Sequence, residues 1–136
     1  MSDLAAAEKR LRIAFAAGAV TDALAIIPML SPTVAELASG VTPSPFNSVI
    51  AAGYSASLML GWTLLLLWAY RRPVERRFVA VLTVIVIVGL VCAEILAVMA
   101  GAMSFARTVP TWVLQAVLIG LFARAYWASS ATVGNH

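Results

Sequence analysis

Charge is scarce in this chain: nine Lys or Arg and six Asp or Glu make up 11% of its 136 residues. A water-soluble protein of that length needs a polar shell comparable in size to its core, and so few charged side chains cannot supply one. Cysteine occurs once, at Cys92 inside an apolar run, which excludes an intrachain disulfide, a dithiol redox centre and a cysteine zinc site. Histidine also occurs once, as the last residue, His136, so haem ligation, a His-based metal site and a Ser-His-Asp triad lack the residues they require. No cofactor and no metal is expected.

What the chain has in quantity is apolar surface. It is 62% hydrophobic, with a mean hydropathy of +0.97, far outside the range of a soluble domain. Lipid must stand where a polar shell would otherwise be. The net charge of +3 does not point to nucleic acid, because the basic residues flank apolar runs and form no stripe interleaved with aromatics. The expected partners are membrane lipids, with a homo-oligomer or a larger membrane complex as further partners, and no nucleic acid.

Crossing the hydrocarbon layer takes about 20 residues of helix. Four runs meet that length, at about 13–30, 48–69, 78–100 and 109–127. None alternates as a barrel strand does, and helices satisfy every backbone group internally, so the expected fold is all-α, an integral membrane up-and-down four-helix bundle forming one domain. Ser31-Pro32 stops the first run, and the segment to Asn47 holds Glu36, Gly40, Pro43 and Pro45 but no Lys or Arg, as expected of a loop.

Between the second and third runs stands Arg71-Arg72-Pro73-Val74-Glu75-Arg76-Arg77. With Lys9, Arg10, Arg12 and Arg124 these arginines put eight of the nine basic residues on one side, leaving Arg107 on the other. The positive-inside rule places that side, and both termini, in the cytoplasm of a bacterial-type plasma membrane. Arg71, Arg72, Arg76 and Arg77 are thus topology determinants that also suit anionic lipid headgroups. Trp68, Tyr70, Tyr126 and Trp127 would sit at the same interface. A competing reading takes residues up to Ala25 as a cleaved signal peptide. Asp3, Glu8 and Asp22 argue against it, as does the hydrophobicity that continues to Leu30.

Small residues four apart mark close helix contacts in lipid. The second run has Gly53, Ser57 and Gly61, the third Ala93, Ala97 and Gly101, and the first Ala14 and Gly18 leading to Asp22. A faint echo links Asp22-Ala23-Leu24-Ala25-Ile26 with Glu94-Ile95-Leu96-Ala97-Val98, too short to establish a duplication.

The chemically pointed features are two acids at depth. Asp22 lies near the middle of its run and Glu94 about six residues, or about 9 Å, from the end of the third. A carboxylate there costs at least a few kcal/mol and needs internal company. Tyr54 and Ser57 on the second run, and Thr111 and Gln115 on the fourth, reach similar depth, with Thr21 beside Asp22. The expectation is a polar pocket around Asp22 and Glu94, lined by Gln115, Tyr54, Ser57 and Thr111, open away from the basic side. Leu64 to Leu67, Val84 to Val88 and Leu118 would close it on the basic side. It would bind or transport a cation, a proton or a small lipophilic ligand. The alternatives are an accessory or structural subunit, and, less favoured, an enzyme using the two acids on a lipid-soluble substrate.

Overall fold

The computed structural model describes residues 2–31, 33–34 and 47–133, and among them every regular element is helical. The helices are α1, Ser2–Leu30; α2, Asn47–Arg71; α3, Phe78–Met99; and α4, Phe105–Val133. All four are long and apolar enough to cross a membrane. The expected loop from Glu36 to Pro45, together with Pro32, Phe46 and His136, falls outside the described residues.

Three boundaries differ by more than two residues from those drawn on apolarity alone. Helix α1 begins eleven residues before position 13, because Ala5-Ala6-Ala7-Glu8-Lys9-Arg10-Leu11 are strong helix formers and Ala7 and Leu11 are buried. Helix α4 extends past the apolar run at both ends, from Phe105, four residues before position 109, to Val133. At the end of α3, Gly101 does not serve as a packing residue. It takes φ 73°, its N–H bonds Val98 O at 3.0 Å, and Ala102 N–H bonds Ala97 O at 2.9 Å. That paired closure needs a left-handed residue just past the helix, a conformation only glycine adopts without penalty.

Packing is not a closed ring. Helix α1 packs against α2 and α4, and α3 packs against α4, whereas α2 and α3 barely touch and α1 and α3 only marginally. The bundle is therefore a curved row, α2–α1–α4–α3, open along the α2–α3 side. Its apolar core joins Leu11, Ala14, Phe15, Ala19, Leu66, Ala69, Val79, Ala80, Ile87, Leu118, Phe122 and Ala125. Small residues on α1 let its neighbours close in, Gly18 above all: a Cβ there would stand 2.8 Å from Phe122 Cζ and 3.1 Å from Leu66 Cδ1.

The core gathers toward the end that carries both termini and the arginine turn, here called the basic end. Beyond Ala19 in α1 and beyond Ile87 in α3, no described residue is fully buried. At the basic end Leu66, Ile87 and Leu118 are buried together with Phe15 and Phe122, whose rings tilt together at 5.9 Å, while Leu64, Leu67, Ile85, Val86 and Val88, also expected there, are exposed.

Candidate functional site

Helical register fixes where the acids stand. Gly18, Leu66 and Phe122 meet at one level. One turn farther from the basic end, about 6 Å, the same faces of the antiparallel helices carry Asp22 on α1, Trp62 on α2 and Leu118 on α4. Less than a turn beyond Leu118 comes Gln115, buried on α4, and it reaches across to α3: Gln115 Nε2 donates to Glu94 Oε1 at 3.1 Å. Trp112 lies one more turn out on that face, its ring edge-on to Phe105 at 5.6 Å and 77°.

Five buried side-chain atoms have no hydrogen-bond partner among the described residues: Asp22 Oδ2, Trp62 Nε1, Glu94 Oε2, Trp112 Nε1 and Gln115 Oε1. Each orphaned polar atom costs free energy in an apolar surround. All five belong to the two levels just described and the turn beyond them, directly above the apolar core. The other buried polar side chains among the described residues are satisfied locally. Thr63, Thr83 and Thr108 each donate to the carbonyl four residues back, at 2.8, 2.8 and 2.9 Å. Thr21 does the same to Ala17 O at 2.9 Å, so its hydroxyl is engaged in its own helix rather than with Asp22.

Of the residues expected to line a pocket, the structure brings Glu94 and Gln115 into contact and sets half-buried Asp22 on the inner face of α1. Tyr54, Ser57 and Thr111 are not brought in. All three are exposed, Tyr54 at 71%, and none makes a side-chain hydrogen bond among the described residues. The inner stripe of α4 follows Thr108, Trp112, Gln115, Leu118, Phe122, Ala125 and Ser129, and Thr111 lies on its uncovered flank. Neither indole, Trp62 nor Trp112, was among the residues expected to line the pocket. The available signal was spacing: Trp62 is four and seven residues from buried Leu66 and Ala69, and Trp112 is three from Gln115.

The arginine turn is sorted by its contacts. Arg76 stacks over the Trp68 ring, 3.4 Å from its centroid, and donates to Trp68 O in the last turn of α2. Arg77 reaches Ser129 O near the end of α4 at 3.4 Å. Both place positive charge near helix C-termini, the negative end of the helix dipole. Arg72 pairs with Glu75 at 3.3 Å on the surface, and Arg71 is exposed without a side-chain partner among the described residues. Arg12 pairs with Glu8 at 2.8 Å and lies 5.5 Å from the Tyr70 ring centroid, tying α1 to the end of α2. Among the described residues no cluster of His, Cys, Asp and Glu suits a metal ion. No family model, curated protein or solved structure matches this chain.

Proposed function

We propose that this is a small integral membrane protein, basic end in the cytoplasm, whose polar site between Asp22 and Glu94 binds or transports a proton, a cation or a small lipophilic ligand. The observation that carries the reading is the set of five partnerless buried polar atoms on successive levels above an apolar core. A bundle held together by packing alone would bury apolar residues there, at lower cost. The site is narrower than the sequence implies: Asp22, Glu94, Gln115, Trp62 and Trp112 make it, and Tyr54, Ser57 and Thr111 stay outside. It offers carboxyl and amide oxygens with two indole N–H groups, a mixed set suited to a proton, a desolvated cation or a ligand with both donors and acceptors. Burial of each unpaired atom is consistent with a guest that enters by local opening along the α2–α3 side, where the helices barely touch.

The test is flux and binding in proteoliposomes, with an entrapped pH dye for protons, labelled sodium and potassium for cations, and tryptophan fluorescence for a panel of lipophilic amines. Any signal found should fall at least tenfold when Asp22→Asn and Glu94→Gln are combined. An undiminished signal in that variant rejects the reading.

A second reading, an accessory or structural subunit of a homo-oligomer or larger membrane complex, rests on a different observation. Gly53, Ser57 and Gly61 on α2 are exposed, and a Cβ on either glycine would meet nothing within 4 Å. The small-residue face thus serves no contact among the described residues, though it suits close approach by another helix. Particle size in mild detergent at native abundance discriminates: a monodisperse monomer counts against it.

A further inference from the structure

Glu94 and Gln115 meet through one hydrogen bond, from Gln115 Nε2 to Glu94 Oε1 at 3.1 Å. The remaining oxygen of each group, Glu94 Oε2 and Gln115 Oε1, is buried and has no hydrogen-bond partner among the described residues. With the carboxyl ionised both of these atoms are acceptors only, and two acceptors left over on paired buried groups are the costly part of a polar network. A carboxylic acid and a primary amide, however, have complementary edges. The amide N–H donates to one carboxyl oxygen, and an O–H on the other donates to the amide carbonyl. A single proton therefore converts both orphaned acceptors into a second hydrogen bond.

We propose that Glu94 and Gln115 form a proton-binding pair, in which Glu94 Oε2 carries the proton and donates it in a hydrogen bond to Gln115 Oε1. The proton is taken from water and neutralises the carboxylate, and no other bond forms or breaks. Among the described residues nothing stands near to compete. Helix α4, the one packed firmly on α3, has Arg107 as its sole charged residue in the far half, and that side chain is exposed. Helices α1 and α2 touch α3 marginally and bring to this half Asp22 and exposed Tyr54, while α3 itself adds exposed Cys92. No described cation stands beside Glu94 to hold it ionised. The inference deepens the polar-site reading by naming the guest of this pair, and it rests on the helices lying in hydrocarbon.

Infrared spectroscopy of the full chain in phosphatidylcholine vesicles, in H2O and D2O at neutral pH, tests it. The wild type should show the carbonyl band of a protonated carboxyl, downshifted in D2O. Glu94→Gln should abolish that band, Asp22→Asn should leave it, and Gln115→Leu should move it to higher frequency by freeing the carbonyl from its donor. Glu94→Gln should also keep the wild-type melting temperature or raise it, because two facing amides satisfy each other's edges. Absence of the band in the wild type, its survival in Glu94→Gln, or an unmoved band in Gln115→Leu would overturn the proposal. The outcome separates from that of the flux assay. A Glu94 band without flux or ligand binding leaves the pair and removes the transport reading, whereas flux dependent on Asp22 alone, without a Glu94 band, does the reverse.

Discussion

Gly18 and Gly61 both sit among small and apolar residues, yet a Cβ on Gly18 would come within 2.8 Å of Phe122 whereas one on Gly61 would meet nothing within 4 Å. The difference predicts opposite outcomes for one substitution. Gly18→Ala forces the buried Phe122 ring aside and should cost about 1–3 kcal/mol, read as a lowered melting temperature in detergent. Gly61→Ala should leave it unchanged or slightly raised, since alanine favours helix over glycine. At this scale the sequence was a partial guide. Composition and depth single out Asp22 and Glu94 as acids that need internal company, and Glu94 has Gln115 as a hydrogen-bond partner. Which hydroxyls and indoles shared their level did not follow, because a helix face is legible only to within a residue or so until its neighbours are known. Thr111 and Trp112 are adjacent in sequence, and the helices packed on α4 decide which is covered.

The ends of the helices carry their own chemistry. At the far end of α3, Gly101 with φ 73° closes two hydrogen bonds back into the last turn. Gly101→Ala should cost about 1–2 kcal/mol, the penalty of a left-handed conformation for a residue with a Cβ. Circular dichroism melts of the reconstituted variant measure it. At the basic end Arg77 is bound to Ser129 O whereas Arg71 has no partner among the described residues. Arg77→Gln should therefore lower stability by about 1 kcal/mol, while Arg71→Gln should leave the melt unchanged and weaken only the attraction to anionic vesicles. Equal effects from the two would mean that net charge, not capping, is what the turn provides. The number and order of the helices were readable because hydropathy and the Arg71–Arg77 break are strong signals over long windows. The extra turns of α1 were not, because Ala, Glu, Lys and Arg favour helix without forming a long apolar run.

Across the whole molecule, four antiparallel helices set both termini and the arginine turn at one end, with eight of nine basic residues there and Arg107 at the other. Helix packing gives no preference for either orientation, since the same row of helices fits a bilayer both ways up. In the proposed bilayer setting the positive-inside rule decides, by retaining Lys and Arg on the cytoplasmic side. With Cys92→Ser as background, Glu75→Cys should react with an impermeant maleimide only after the cytoplasmic face is opened, and Ser104→Cys should react in intact cells. The two ends differ in how their charge is held, which sharpens the test. Arg76 and Arg77 are tied to helix carbonyls, but they keep their charge and so still count toward orientation. Neutralising Arg71, Arg72, Arg76 and Arg77 together leaves Lys9, Arg10, Arg12 and Arg124 against Arg107, a margin of four to one, so the labelling pattern should become mixed rather than invert. Full inversion would mean that the arginine turn alone sets topology, and an unchanged pattern would mean that the first helix and its flanking Lys9, Arg10 and Arg12 suffice.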